Sequence, residues 1–202
     1  ALHRRLVGSE MCIRDRSLSR VEVDEHIIPD ERVPLLEVVK SVIASLEPRA
    51  ARRQMGIVLV DDQPSRPNRP VMYGFSDEIN EVFHNLIENA IKYGFEGTDI
   101  HIHISAGEAG HVRVCVTNTG EVIGENHLGR LTERFYRVDK ARSRQIGGTG
   151  LGLAIVKHIV NRHRGTMEIT SSDEGVTTFA VSLPLIAGPV SYTHLTLPTR
   201  AQ

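Results

Sequence analysis

The segment Ser76–Gly94, SDEINEVFHNLIENAIKYG, limits the fold of this chain more than any other stretch. Ile79, Val82, Phe83, Leu86, Ala90 and Ile91 recur at the spacing of one helical face, so the segment is predicted to be an amphipathic helix that needs a second layer to cover it. Ser76 is placed to cap the N-terminus, Asp77 and Glu78 lie where the helix dipole favours anions, and Gly94 is a natural stop. Elsewhere the period changes to that of strands. Gly56–Asp61 is a β-branched run, and Asp99–Ser105 and Val112–Thr117 follow, the latter turning Val112, Val114 and Val116 inward. Met167–Ser171 and Thr177–Leu183 read as two further strands. Helical spacing recurs at Leu35, Leu36, Val39, Val42, Ile43 and Leu46, ending near Pro48, and again from Leu151 to His163, ending at Gly165. Pro29 and Pro34 mark a linker, DDQPSRPNRP a polar loop, and Asn118–Gly148 a long irregular stretch. There is no internal repeat. The mixture predicts an α+β fold with helices on one face of a mixed sheet.

Three local patterns carry chemistry. Asn85, Asn89 and Lys92 stand at i, i+4 and i+7 on the clear helix, so two amides and an ammonium share one face. Amide carbonyls can ligate magnesium, and an ammonium attracts phosphate. GGTGLGL, Gly147–Leu153, opens a helix; glycines admit close backbone approach, and a helix N-terminus offers free amides and partial positive charge to phosphate. It lacks the Gly-Lys-Ser/Thr of a P-loop and does not follow a strand as a dinucleotide fingerprint does. Asn118-Thr119-Gly120 follows a strand, where a side chain could read a base edge and a glycine could let the base lie against the backbone. Taken singly, these are also what a solvated helix face, a flexible loop and a strand-ending turn look like.

Their order resembles the ATP-binding domain of bacterial sensor histidine kinases, within a wider family that includes gyrase, the Hsp90 chaperones and the MutL mismatch-repair proteins. HNLIENAIKYG (His84–Gly94) is similar to the N box, ERFYRVDKARSR (Glu133–Arg144) to the F box, GGTGLGLAIVKHI (Gly147–Ile159) to the second glycine box and VTTFAVSLP (Val176–Pro184) to the closing segment. FYRVD with GTGLGLAIVKHIV points to histidine kinases, nearest in flavour to phosphate-sensing ones. The resemblance covers roughly Leu35–Pro184. It implies a two-layer α+β sandwich with a mobile ATP lid between Gly124 and Gly147, and ATP with Mg2+ as cofactors. It assigns Asn89 to the metal, Asn85 to the metal and phosphates, and Lys92 and Tyr93 to phosphate and ribose. Asn118 and Gly120 would hold adenine, Arg137 would reach phosphate from the lid, and the backbone of Gly148, Thr149, Gly150, Leu151 and Gly152 would cradle phosphates. Thr178 in the closing segment completes the implied cofactor site, and Asn85, Asn89 and Lys92 are its catalytic group. Two departures stand out. Asn118-Thr119-Gly120-Glu121-Val122 replaces the usual Asp-x-Gly-x-Gly, and no histidine lies in a phosphoacceptor context.

The implied reaction is transfer of the ATP γ-phosphoryl to a histidine on a dimerisation domain, in a homodimeric parent kinase that then serves a response regulator. The alternative is a nucleotide-binding regulatory module of the same fold without turnover. A net charge of −1 gives no electrostatic footprint for nucleic acid, and two cysteines build neither a disulfide framework nor a zinc site. Cysteines this few fit a reducing, cytoplasmic setting. No apolar run approaches the roughly 18 residues of a membrane helix, so this stretch is not expected to span a bilayer, whatever anchor the parent has.

The ends read differently. One set of codons for Met11–Asp15 (MCIRD) has a reverse complement that translates as VSYTH, the residues Val190–His194. This resembles translated sequencing adapter at both ends, so residues 1–16 and most of 187–202 are set aside from the fold. Residues 17–34 are read as the end of a dimerisation helix and a linker, and 35–186 as the catalytic domain. Two other patterns are declined. VLVDD (Val58–Asp62) lacks the alternating units of a receiver, and His101 with His103 shows no third metal ligand.

Overall fold

The computed structural model describes residues 30–62, 71–138 and 149–186. Both end segments, residues 63–70 of the polar loop, and residues 139–148 of the expected lid and F box, Gly148 among them, fall outside the described residues. Five strands form one sheet in the order β2 (Ile57–Asp61), β4 (Ile100–Ala106), β5 (His111–Thr119), β7 (Val176–Pro184) and β6 (Thr166–Ser171). β2 runs parallel to β4 and every other pairing is antiparallel, so the sheet is mixed. A short pair, β1 (Glu31–Pro34) with β3 (Val71–Gly74), lies apart from it. Helices α1 (Leu35–Ala51), α2 (Ser76–Tyr93) and α4 (Gly152–Arg162) make the second layer, and α3 (Glu125–Leu128) is a single turn. The architecture is the α+β fold with helices on one face of the sheet that the periodicities predict, and the two-layer sandwich that the resemblance implies.

α2 is the centre of the helical layer, packed between α1 and α4 and against the sheet. Its stripe Ile79, Val82, Phe83, Leu86, Ala90 and Ile91 is sealed from water, opposite Ile100, Ile102, Ile104, Val112, Val114 and Val116 of the sheet. Each large side chain so buried contributes about 1.5–3 kcal/mol of transfer free energy.

The boundaries differ from expectation in three places. α1 continues through Pro48 to Ala51. Proline removes one intrahelical bond, but Leu46 and Ala50 are buried on either side of it and the last turn is held from outside. Arg53 just beyond the helix donates to the carbonyls of Ile91 and Lys92 at the end of α2. Ser76 is not the cap: the N-cap is Phe75, and the Ser76 N–H points to Glu31 Oε2 at 3.4 Å. The linker segment carries β1, whose strand pairing with β3 was not legible from four residues ending in proline.

Candidate functional site

α2 presents its polar face to a cavity of about 620 Å³, into which the sheet, the first residues of α4 and the segment after α3 also turn. Asn85, Asn89, Lys92 and Tyr93 line one side, as their shared helical face requires. Asn85 is buried, its Nδ2 donating to the Glu81 carbonyl at 2.9 Å. Its Oδ1 faces the start of α4 so closely that a Cβ on Gly152 would stand 2.8 Å from it. A side chain at position 152 would have to displace the Asn85 amide, so a glycine there lets the helix face and the glycine-rich start come this close.

The end of α2 is fastened to the end of β5. Gly94 and Gly120 form an isolated bridge, and the Phe95 N–H donates to the Thr119 carbonyl at 2.8 Å. Asn118 and Gly120 therefore open onto the same cavity as Lys92 and Tyr93. A third tie closes the far side: the Phe135 N–H donates to the Gly150 carbonyl at 2.9 Å, with Gly150 at φ +73 and Phe135 at φ +65. A positive φ is inexpensive for glycine and strained for phenylalanine, so this junction is held by its surroundings. It turns Tyr136 and Arg137 to the cavity. The Tyr136 hydroxyl lies 2.6 Å from His127 Nδ1, under the Arg130 guanidinium at 4.2 Å from the ring centre. Nε and Nη2 of Arg137 are buried and have no hydrogen-bond partner among the described residues.

Most residues expected at the site gather here, with three exceptions. Gly148 lies outside the described residues. Leu151 is 3% exposed and packs in the core, and it is not among the residues that line the cavity. Thr178 is a correction: its Oγ1 lies 3.0 Å from Thr117 Oγ1, and its neighbour Thr177 lines the cavity instead. Strand residues alternate faces, so placing the contact one position off reverses it.

Two residues at the site were missed. Glu88, buried on α2, receives an ion pair from Lys92 at 3.1 Å and another from Arg49 of α1. The Glu88–Lys92 spacing of i, i+4 was a usable signal. Nothing in sequence could bring Arg49 to it, since the two are joined only by the packing of α1 on α2. Arg49, Arg53, Lys92 and Arg137 against Glu88, Glu96 and Glu121 leave the cavity wall with a cationic excess, suited to an anionic ligand. The declined patterns stay apart from this site. His103 pairs with Asp62 at 2.7 Å on the sheet, and no cluster fit for a metal occurs among the described side chains of His, Cys, Asp and Glu. No helix among the described residues is long and apolar enough to cross a membrane.

Comparison with known proteins bears on the family of the chain. Residues 74–187 match the model of the histidine kinase-, DNA gyrase B-, and HSP90-like ATPase family. The chain is 34% identical over 175 residues to the sensor-like histidine kinase SenX3 of Mycolicibacterium smegmatis, covering 87% of this chain and 44% of that protein. It is 49% identical over 98 residues to the phosphate regulon sensor protein PhoR of Pseudomonas aeruginosa, covering 48% of this chain and 22% of that protein. It thus spans less than half of either curated relative. Among solved structures, the mycobacterial sensor histidine kinase MprB superposes with a TM-score of 0.65 at 24% identity, covering 79% of this chain and 99% of that one. Full-length ShkA in complex with AMPPNP gives 0.76 at 20% identity, over 91% of this chain and 36% of that one. At such identities the superpositions establish the fold, while the family match spans more than half of the sequence. The chain belongs to the histidine kinase-, DNA gyrase B-, and HSP90-like ATPase family.

Proposed function

We propose that this chain is the Mg-ATP-binding catalytic domain of a two-component sensor histidine kinase. In the parent protein it would transfer the ATP γ-phosphoryl to a histidine on the dimerisation domain, from which a response regulator takes it. The observation that carries the reading is the Arg137 guanidinium, which lines the cavity together with Asn89 and Lys92 and has two buried nitrogens without a hydrogen-bond partner among the described residues. Buried donors without acceptors are costly, and phosphate oxygens would satisfy them. The sensor kinases among its relatives support the same choice within the wider ATPase family.

The donor set fits the group. The Asn89 carbonyl is a hard oxygen ligand for Mg2+, which commonly takes one or two protein ligands and completes its shell with phosphates and water. Bound there, the metal would offset phosphate charge. Asn85 lies against the start of α4, where the amides near Gly150 and Gly152 would meet phosphates at a helix N-terminus. Lys92 and Arg137 both line the cavity and would supply positive charge to the phosphates. Phosphoryl transfer asks little covalent chemistry of a protein and much positioning and charge neutralisation, which this arrangement provides.

Calorimetric titration of Mg-ATP into the chain tests the site, with Asn89→Ala as control. Binding weakened at least about tenfold by Asn89→Ala is the expected result for loss of a metal ligand. A folded chain without affinity for Mg-ATP would remove the proposal. Phosphorylation of a separately supplied dimerisation helix pair then distinguishes a kinase domain from a regulatory module that binds without turnover.

A further inference from the structure

The floor of the cavity carries a cross-strand pair. Asn118 on β5 and Thr177 on β7 are direct partners in the ladder, 4% and 3% exposed, and both line the cavity. The Asn118 side-chain amide has no hydrogen-bond partner among the described residues, although a primary amide offers two donors and an acceptor. Such a group, lining a cavity, is open to pair with what enters.

The main-chain groups beside it are already committed. The Gly120 N–H donates to Gly175 O at 2.8 Å, the Gly94 N–H to Ala90 O at 2.9 Å, and Thr119 O accepts from Phe95. Thr177 Oγ1 lies 3.3 Å from Ser171 Oγ, and either hydroxyl can donate. Glu121 stands exposed at the rim. The side chains left to read a base edge at the floor thus both donate and accept. Ile91, Ile123, Leu153 and Phe179 add apolar wall for a flat ring.

A carboxylate in this place could only accept. An amide can present either edge, because its oxygen and nitrogen are nearly the same size. In one orientation Oδ1 accepts from the 6-amino group of adenine while Nδ2 donates to N1. Turned over, Nδ2 donates to a 6-oxo group and Oδ1 accepts from the N1–H of that purine. Both pairings make two hydrogen bonds with the same outline. We infer that the site takes 6-oxopurine nucleoside triphosphates as well as 6-aminopurine ones, the orientation of the Asn118 amide selecting between them. The inference rests on the reading of the cavity as a nucleoside triphosphate site.

The test is calorimetric titration of the full 202-residue chain with Mg-ATP and, separately, Mg-ITP, which carries a 6-oxo group and no 2-amino group. The expected dissociation constants lie within about tenfold of each other, since the two pairings make equal numbers of hydrogen bonds. Asn118→Asp is expected to keep Mg-ATP and weaken Mg-ITP by about 10- to 100-fold, the usual penalty for a mismatched base edge. Circular dichroism checks that the variant folds, and if it does not, the wild-type pair of titrations decides. Binding of Mg-ATP with Mg-ITP more than about 100-fold weaker would overturn the inference and leave the nucleotide site intact. A folded Asn118→Asp protein that still binds both nucleotides alike would remove Asn118 as the selector. Affinity for neither nucleotide would overturn this inference and the proposed function together.

Discussion

Glu88 holds two cations of the cavity wall through ion pairs. Its carboxylate is 7% exposed and lies between Lys92, 9% exposed, and Arg49, 41% exposed. Solvent discounts the Arg49 pair, so most of the energy belongs to the contact with Lys92, whose ammonium would otherwise be desolvated without a counter-charge. Glu88→Gln is expected to destabilise the chain by about 2–4 kcal/mol in urea denaturation. Saturating Mg-ATP is expected to restore part of that loss, because phosphate would replace the missing negative charge beside Lys92. The three residues expected on the polar face of α2 did reach the cavity, since helical periodicity alone decides which side chains share a face. Thr177 and Arg49 were not legible. The first depends on strand parity, where an error of one residue changes the face, and the second on the packing of two helices far apart in sequence.

At the scale of elements, the joints between secondary structures are set by tertiary contacts. α4 is followed by its C-cap His163, whose Nδ1–H donates to the Ile159 carbonyl at 2.8 Å while Nε2 accepts from the Phe75 N–H at 3.2 Å. That second bond engages the N-cap of α2, so one neutral imidazole joins two helices. Arg162 beside it pairs with Glu78 and covers the Phe75 ring at 4.8 Å. Burial holds the His163 pKa below its ordinary value of 6.5; the bond to Ile159 opposes this and the Arg162 charge adds to it. The folded state therefore binds this proton less readily than the unfolded chain. The resulting stabilisation is complete above pH 6.5 and is lost as the pH falls from there through the lowered folded value. Urea midpoints between pH 7.5 and about pH 5 should fall more steeply for the wild type than for His163→Gln, which removes the titrating group. Equal slopes would show that the imidazole is not the linked group. Pro48 and Ser76 make the same point from sequence: local propensity placed a helix end and a cap that contacts with other elements moved.

The whole molecule is organised around α2, which carries the site on one face and the core on the others. Phe83 is fully buried at the meeting of the helical layer and the sheet. Phe83→Ala should cost about 3–5 kcal/mol through lost transfer free energy and the cavity left behind. Because the same helix holds Asn85, Asn89 and Lys92, that loss is expected to lower the urea midpoint for secondary structure and for nucleotide binding together. Two separated transitions would mean that site and core fold as independent units.

What the sequence alone determined is what periodicity and local chemistry can encode. It specified the amphipathic face of α2, the five strands of the large sheet, the glycine-rich start of α4 and the order of motifs that identifies the family. Those features repeat within a few residues, so each is written in adjacent letters. The tertiary structure alone decided the meeting of Asn85 with Gly152, the fastening of α2 to β5 through Gly94 and Gly120, and the burial of Glu88 between Arg49 and Lys92. It also decided that Thr177 rather than Thr178 faces the cavity. Each of these depends on distances between segments remote in the chain, and such distances are fixed only when the layers pack.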